Sequence, residues 1–203
     1  MKIEDVMALA PVIPVLVIDD IAYARPIAEA LVAGGLRALE VTLRTQSALG
    51  VIEEMAKVPG AIVGAGTVLN ASQLHQAAQA GAQFIVSPGL TTGVAEAAVD
   101  RNLPYLPGIA NAGDIMRGLD LGLDRFKFFP AEAAGGIKAL KALAAPFYRC
   151  RFCPTGGITE ATAPDWLALE AVACVGGSWV IPAGPIDPAA RYDRAKAAAA
   201  LGR

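Results

Sequence analysis

The sequence has few of the residues on which many metal sites and disulfide scaffolds depend. It contains 3 cysteines and 1 histidine among 203 residues. A small and odd number of cysteines is typical of reduced thiols in the cytoplasm rather than of a disulfide framework. A single histidine cannot form a multi-histidine metal site, and no dense carboxylate cluster replaces one. We therefore expect a cytoplasmic protein that uses no metal and no other cofactor.

The chain also lacks an excess of positive charge and a long apolar run. Its 17 Lys and Arg against 19 Asp and Glu give a formal net charge of −2, with no basic cluster to follow a nucleic-acid backbone. The apolar stretch 6–18 contains Pro11 and Pro14, is too short to span a bilayer and lacks a basic leader. We predict neither a nucleic-acid nor a membrane partner, and we interpret this stretch as the first strand with its approach.

Apolar residues are plentiful, at 55% of the chain, and they fall into short runs that alternate with alanine-rich segments. The pattern predicts a parallel sheet covered by helices, in one domain spanning 1–203. The predicted strands are 12–18, 38–43, 61–64, 84–86, 104–106, 125–129, 151–153 and 173–175, and the predicted helices are 21–33, 46–57, 71–80, 92–100, 112–121, 137–144, 163–168 and 188–201. Eight such units favour a closed (β/α)8 TIM barrel.

The competing architecture is an open, doubly wound sheet. Dinucleotide-binding sheets of that kind carry a G-x-G-x-x-G turn after a strand. Here Gly64 and Gly66 lead into Thr67 without the third glycine, which disfavours the open sheet. Asn70 and Asn111 are the predicted N-caps of two helices.

Lys127 occupies an unusual position for a charged residue. It lies within an apolar run of strand length between Arg125 and Phe129. Since alternate side chains of a strand face opposite ways, Phe126 and Phe128 share one face, while Lys127 shares the other with Phe129. A lysine that loses hydration favours its neutral amine, which is a nucleophile towards carbonyl groups. The alternative is that the aliphatic part of the Lys127 side chain is buried and its ammonium group reaches solvent.

A carboxylate and a guanidinium follow the same alternation in the second predicted strand. Glu40, Thr42 and Arg44 share one face of this strand, and its leucines and valine share the other. The apolar face would meet the helices, which places Glu40 in the barrel interior. Two roles are open for Glu40. It forms a structural ion pair with Arg44 or Lys127, or it is a proton shuttle beside a reactive lysine. Arg44, nearer the rim, suits a substrate carboxylate.

Glycines gather where predicted strands end, which is the face of such barrels that carries catalysis. After the third strand, Gly64 and Gly66 allow either a ligand to approach the backbone or a tight turn. Two further pairs follow the last two strands: Gly156 and Gly157 beside Thr155, and Gly176 and Gly177 beside Ser178. Exposed amide groups of paired glycines can converge on an anion. These two loops therefore predict a phosphate site.

Together these groups indicate a reaction class. A phosphorylated keto acid would be held at both ends while Lys127 condenses with its ketone, and the resulting iminium would accept the electrons of a breaking carbon–carbon bond. That reaction is an aldol cleavage by a Schiff-base lyase. Two alternatives stay open: an isomerase or epimerase with Glu40 as its base, and a non-catalytic protein that binds a phosphorylated metabolite.

Several motifs, found in the same order along the chain, resemble one family. They are the residues 40–45 (EVTLRT), 64–68 (GAGTV), 84–89 (FIVSPG), 126–132 (FKFFPAE), 154–157 (PTGG) and 175–178 (VGGS). Over about residues 12–180 the chain is similar to bacterial 2-keto-3-deoxy-6-phosphogluconate (KDPG) aldolases, which also cleave 4-hydroxy-2-oxoglutarate (KHG). The resemblance implies a (β/α)8 homotrimer that releases pyruvate and glyceraldehyde 3-phosphate without a metal.

The resemblance also implies roles for individual residues. Lys127 matches the Schiff-base lysine and Glu40 the proton shuttle. The substrate-binding positions are Arg44 and Thr67 for the pyruvate carboxylate, Pro88 and Phe129 lining the pocket, Thr155 on the keto acid or a hydroxyl group, and Gly156, Gly157, Gly176, Gly177 and Ser178 for the phosphate.

One stretch departs from the family pattern. The residues 109–114 (IANAGD) replace a segment that is usually rich in serine and threonine, although Asn111 can still cap the next helix. Hydroxyl contacts from this loop are therefore not expected. The related galactonate-phosphate aldolases share most of the site positions, so the gluconate and the galactonate substrates both fit the motifs.

Overall fold

The computed structural model describes residues 1–181 and 187–202. Strands and helices alternate, as the sequence predicts. The strands are β1 Val12–Leu16, β2 Ala38–Thr42, β3 Ile62–Gly66, β4 Phe84–Val86, β5 Tyr105–Leu106, β6 Gly108–Ile109, β7 Arg125–Phe128, β8 Arg151–Phe152 and β9 Val175–Gly177. The helices are α1 Ile3–Ala8, α2 Ala24–Ala33, preceded by a 3₁₀ turn at Ile21–Tyr23, α3 Ala48–Ala56, α4 Ala71–Gln79, α5 Thr92–Asp100, α6 Ala112–Asp120, α7 Gly136–Ala144, α8 Ala163–Leu167 and α9 Pro188–Ala199.

The strands form two parallel sheets. One has six strands in the order β5-β4-β3-β2-β1-β9, and the other has three in the order β6-β7-β8. The first and last strands of the chain are therefore neighbours, which does not fit a doubly wound sheet, where the strand order reverses near the middle. The predicted parallel α/β class is confirmed. The strands are divided between two sheets, however, rather than forming one continuous eight-stranded sheet.

Short contacts connect the two sheets at both junctions. The predicted fifth strand, 104–106, corresponds to β5, and β6 follows it as an additional short strand after Pro107. The Pro107 carbonyl accepts a hydrogen bond from the Lys127 amide at 2.8 Å. Proline has no N–H of its own to give to a ladder. At the other junction, Thr155 and Gly176 form a parallel bridge, and the Gly176 amide donates to the Pro154 carbonyl at 2.8 Å.

Two apolar cores lie on opposite sides of the strands. The larger one fills the space between strands and helices and includes Phe126 and Phe128. The smaller one lies on the other face of the strands, and its buried members are Val6, Met7, Ile13, Ala38, Phe84, Val86, Leu106, Cys153 and Cys174. This arrangement agrees with the predicted alternation in β7, because Lys127 faces away from the larger core.

Helix α1 was not predicted. The sequence interpretation assigned 6–18 to the first strand and its approach, but Val6 and Met7 belong to α1 and are buried in the smaller core. The side chain of Asp5 accepts a hydrogen bond from the Lys2 amide at 2.7 Å, which supports the helix start. A short apolar run has the same composition in a strand and in a buried helix, so periodicity alone does not separate the two.

The predicted helix caps are confirmed. Asn70 accepts a hydrogen bond from the Gln73 amide at 2.9 Å, and Asn111 accepts one from the Asp114 amide at 3.0 Å. The Asp114 carboxylate also accepts a hydrogen bond from the amide of Ala110, the residue before the cap, at 2.9 Å. The departure from the family pattern at 109–114 is thus compatible with a well-capped α6. Among the residues that the structure describes, no helix has the length and apolar character needed to cross a membrane.

Candidate active site

Lys127 and Glu40 form a buried ion pair. Strand β7 presents Lys127 and strand β2 presents Glu40, and the lysine Nζ lies 3.0 Å from the glutamate Oε1. The two residues are 87 positions apart in the chain. Their side chains are only 7% and 3% exposed. The structure therefore does not support the interpretation of Lys127 as a residue whose ammonium reaches solvent.

This pair is poorly explained as a stabilising element. Removing two charges from water costs several kcal/mol per ion, a cost that their attraction often fails to offset. Within the described residues, the Lys127 Nζ has Glu40 as its hydrogen-bonding partner, and the Phe129 ring lies 5.3 Å from it. An amine and a carboxylate held in contact can form an imine with a carbonyl compound and move protons during that reaction.

The two glycines of β3 make room for side chains of neighbouring strands. A Cβ placed on Gly66 would lie 2.6 Å from Cγ and 2.8 Å from Cδ of Glu40. The corresponding space beside Gly64 is filled by the ring of Phe84. The sequence offered ligand approach or a tight turn as reasons for these glycines. In the structure both lie within the strand, and Gly66 allows the Glu40 carboxylate to reach Lys127.

Thr67 and Arg44 follow the ends of β3 and β2. Thr67 has φ of 58°, in the left-handed region. Such a conformation costs a β-branched residue about 1–3 kcal/mol and is most often found at functional sites. Arg44 is exposed and forms no ion pair with any residue in 1–181 or 187–202. Its guanidinium is therefore available for an external carboxylate, and the predicted role of Arg44 in substrate binding stays a prediction.

Pro88 is held in place by a buried hydrogen-bond network. The Ser87 hydroxyl donates to the Gly89 carbonyl at 2.7 Å, and the Tyr105 hydroxyl lies 2.7 Å from the same Ser87 oxygen. Because Ser87 already donates to Gly89, Tyr105 must be the donor in the second bond. A Cβ on Gly108 would also collide with the Pro88 carbonyl. The backbone around Pro88 is thus fixed from two sides.

Burial raises the pKa of Tyr105 from its ordinary value of 10.0 to about 12, although the hydrogen bond with Ser87 acts in the opposite direction. The folded state therefore holds the phenol proton more tightly than the unfolded state does. The resulting contribution of Tyr105 to the free energy of unfolding is fully present below pH 10 and is lost as the pH rises towards 12. In Tyr105→Phe, we expect the alkaline decrease in unfolding free energy to be smaller by about 2 kcal/mol, as measured by urea unfolding between pH 9 and 12.

The matched control for that experiment is Tyr148→Phe. Tyr148 is 71% exposed, so its replacement should leave the alkaline decrease at its wild-type size. Equal decreases in the wild type and Tyr105→Phe would contradict the assignment of this pH dependence to Tyr105.

The loop after β8 turns the amides of two glycines away from the neighbouring segment 131–132. Gly156 and Gly157 both have positive φ, at 104° and 81°. The Ala131 amide donates to the Thr155 carbonyl at 2.8 Å, and the Glu132 amide donates to the Gly156 carbonyl at 3.1 Å. The C=O and N–H of a trans peptide point in opposite directions. The amides of Gly156 and Gly157 therefore point away from 131–132. The Gly156 amide faces the Gly176 carbonyl across the bridge between Thr155 and Gly176, whereas the Gly157 amide forms no backbone hydrogen bond within the described residues. This geometry suits an anion.

The second glycine pair has a different position from the one predicted. The last strand was expected to end at residue 175, but β9 includes Gly176 and Gly177. The Gly176 amide has an internal acceptor at Pro154, and a Cβ on Gly176 would lie 2.9 Å from Cγ2 of Thr155. Gly176 thus packs against Thr155, and its amide is already used. Ser178 follows the strand and is exposed.

Lys127 and the predicted phosphate loop are linked through β7. The Thr155 amide donates to the Phe128 carbonyl at 3.0 Å, so the loop begins next to the residue that follows Lys127. Thr155 is buried, and its hydroxyl lies 3.3 Å from the Cys153 carbonyl. The structure therefore brings Lys127, Glu40 and Phe129 into one cluster, and Thr155 and the two glycine pairs into a second cluster at the neighbouring strands.

The sequence interpretation did not assign a role to Glu132, although the family motif contains it. Its carboxylate accepts a hydrogen bond from the Trp166 Nε1 at 3.1 Å, and a Cβ on Gly157 would lie 2.7 Å from its Cγ. No sequence signal connected Glu132 with this loop, because the two lie far apart in the chain and meet only in the fold.

Comparison with known proteins agrees with this geometry. The family model for KDPG and KHG aldolase matches residues 3–197. A protein named KHG/KDPG aldolase from Escherichia coli is 54% identical over 192 residues, which cover 94% of this chain and 90% of the relative. The crystal structure of 2-keto-3-deoxy-6-phospho-gluconate aldolase from Zymomonas mobilis is 62% identical, with a TM-score of 0.98, and the match covers 100% of this chain and 98% of the other.

A third comparison concerns a relative with pyruvate bound covalently. The structure of KDPG aldolase from Legionella pneumophila is 43% identical, has a TM-score of 0.88 and covers 99% of this chain and 96% of the other. It is described as holding pyruvate captured as a covalent carbinolamine intermediate. The identities and coverage are far above what a shared fold alone requires, and the chain therefore belongs to the KDPG and KHG aldolase family.

Proposed function

We propose that this protein is a Schiff-base aldolase that cleaves 2-keto-3-deoxy-6-phosphogluconate to pyruvate and glyceraldehyde 3-phosphate. The observation that carries the proposal is the buried contact of 3.0 Å between the Lys127 Nζ and the Glu40 Oε1. Family membership supports the reaction, and the names of the similar proteins favour the gluconate over the galactonate substrate.

The reaction begins when the neutral amine of Lys127 adds to the ketone carbon of the substrate and forms a carbinolamine. Loss of water gives the iminium, with Glu40 supplying and removing the protons. A base, Glu40 directly or through water, then takes the proton of the C4 hydroxyl group, and the C3–C4 bond breaks. Its electrons pass to the iminium nitrogen, which gives the enamine of pyruvate and the free aldehyde. Protonation at C3 and hydrolysis release pyruvate and regenerate Lys127. The iminium is the electron sink, so these steps need no metal.

The other predicted residues bind the two ends of the substrate in this proposal. Arg44 and Thr67 hold the pyruvate carboxylate, because Arg44 follows β2, the strand that carries Glu40, and Thr67 follows the neighbouring strand β3. Pro88 and Phe129 line the pocket, and Thr155 contacts the keto acid or a hydroxyl group. Gly156, Gly157, Gly177 and Ser178 receive the phosphate, and Gly176 supports that group through its packing on Thr155.

We also propose cleavage of 4-hydroxy-2-oxoglutarate to pyruvate and glyoxylate. The family model and the Escherichia coli relative both carry this substrate in their names. The chemistry at Lys127 is the same, because both substrates are 4-hydroxy-2-keto acids. The smaller substrate lacks the phosphate that the glycine-rich loop is proposed to bind.

The architecture and assembly belong to the same proposal. The hydrogen bonds at Pro107 and between Pro154 and Gly176 support a single barrel domain, closed by eight strands, if β5 and β6 are counted as one. The domain prediction of 1–203 includes residues 182–186 and 203, which lie outside the described residues. Family resemblance supports a homotrimer, and the low cysteine count supports a cytoplasmic location.

Borohydride trapping tests this function. Reduction in the presence of pyruvate should leave a stable mass adduct on a peptide that contains Lys127, and the treated enzyme should lose activity. Lys127→Ala is the matched variant and should give neither the adduct nor turnover. Absence of the adduct in the wild type, or KDPG cleavage by Lys127→Ala, would overturn the proposal.

A further inference from the structure

Glu132 connects three parts of the structure around the glycine-rich loop. Its amide donates to the Gly156 carbonyl, its Cγ lies under Gly157, and its carboxylate accepts a hydrogen bond from Trp166. Trp166 belongs to α8, the helix that follows this loop in the chain. Glu132 therefore links the segment after β7 to the helix on the far side of the loop.

Trp166 is a rigid partner for this contact. Its side chain is fully buried, and its ring packs at 6.3 Å from that of Phe128, the residue after Lys127. A buried indole N–H needs an acceptor, and Glu132 is its acceptor here. The position of the Glu132 carboxylate is thus set by a side chain that cannot easily move.

The other carboxylate oxygen of Glu132 lies near the start of α7. A Cβ on Gly136, the first residue of that helix, would lie 3.5 Å from Oε2. The amino end of a helix carries a partial positive charge and favours a nearby carboxylate. The charge of Glu132 is thus offset by α7 and by the Trp166 N–H, which reduces its repulsion of an anion on the opposite face of the loop.

We propose that Glu132 is a positioning residue for phosphate binding: with Trp166 it holds the 155–157 loop so that the Gly157 amide faces the phosphate. This inference rests on the proposed function and adds to it a residue that does not touch the substrate. If the hydrogen bond to Trp166 is lost, the Glu132 side chain beside Gly157 is free to move, and the Gly157 amide loses its fixed direction.

Glu132→Ala and Trp166→Phe each remove this hydrogen bond, and Trp166→Phe keeps an aromatic ring next to Phe128. We expect KM for KDPG to rise about five-fold in both variants, because a single partly exposed hydrogen bond is lost. The apparent inhibition constant of inorganic phosphate should rise by a similar factor. For the unphosphorylated 4-hydroxy-2-oxoglutarate, kcat/KM should stay within about two-fold of the wild type.

Two further variants separate positioning from other effects. Glu132→Gln keeps an oxygen acceptor for Trp166 and should restore the wild-type KM ratio of the two substrates. If the charge alone mattered, Glu132→Gln would bind phosphate more tightly than the wild type. Glu160→Ala is the matched control, since Glu160 is an exposed carboxylate in the segment between the loop and α8. It should leave both substrates unaffected.

Three results would overturn the role of Glu132. The first is that the ratio of the KM values for KDPG and 4-hydroxy-2-oxoglutarate is unchanged in both Glu132→Ala and Trp166→Phe. The second is that these variants lose activity equally on both substrates, and the third is that Glu132→Gln binds phosphate more tightly than the wild type. Failure of the proposed function is recognised separately, because the wild type would then form no borohydride adduct with pyruvate at Lys127.

Discussion

Lys127→Arg is expected to lose carbon–carbon bond cleavage, with kcat/KM on KDPG reduced by at least about 10⁴-fold. Arginine retains the positive charge and the ion pair with Glu40, but its guanidinium stays protonated and cannot form an imine. The variant therefore separates a covalent role of the lysine from an electrostatic one. Steady-state cleavage, measured as pyruvate release, provides the comparison with the wild type.

The matched control is Lys138→Arg, which makes the same replacement at an exposed lysine of α7. It should retain wild-type turnover. Substantial turnover by Lys127→Arg would favour the isomerase or epimerase alternative, in which Glu40 is the base and Lys127 supplies only charge. Substrate protection against thermal unfolding would show that Lys127→Arg still binds its ligand.

Gly66→Ala is expected to reduce kcat by about 10²-fold, although it changes no group that touches the substrate in the proposed reaction. The added Cβ would lie 2.6 Å from the Glu40 Cγ, so the carboxylate must leave its position beside Lys127. A displacement of about 1 Å in a catalytic group is enough for a loss of this size. The rate of borohydride trapping should fall together with kcat, because Glu40 assists imine formation.

Gly64→Ala distinguishes this effect from general damage to the barrel interior. Its added Cβ would collide with the ring of Phe84 rather than with Glu40, so it should destabilise the protein while largely retaining the rate of imine formation. Gly93→Ala, where a Cβ meets nothing within 4 Å, should change neither property. Gly66→Ala with wild-type kcat, measured well below its unfolding temperature, would rule out a positioning role for Gly66.

Features that depend on neighbouring residues in the chain were predictable. The alternation of strands and helices follows from local apolar periodicity, and the Asn70 and Asn111 caps follow from residues only three positions apart. Lys127 was identifiable for the same reason, because alternation within one strand separates it from Phe126 and Phe128. Helix α1 escaped prediction because Val6 and Met7 are apolar in either kind of element, and only packing in the smaller core distinguishes them.

Features that depend on register between distant strands were visible only after folding. The sequence left Glu40 with Arg44 or Lys127 as a partner, and the structure selects Lys127. The sequence allowed two explanations for Gly66, and the structure supplies a third, because the Glu40 side chain lies against Gly66. Similarly, Gly176 looked equivalent to Gly157, yet its amide is used by Pro154. Periodicity describes the faces of one strand, whereas the contact between two faces depends on how the whole chain aligns its strands.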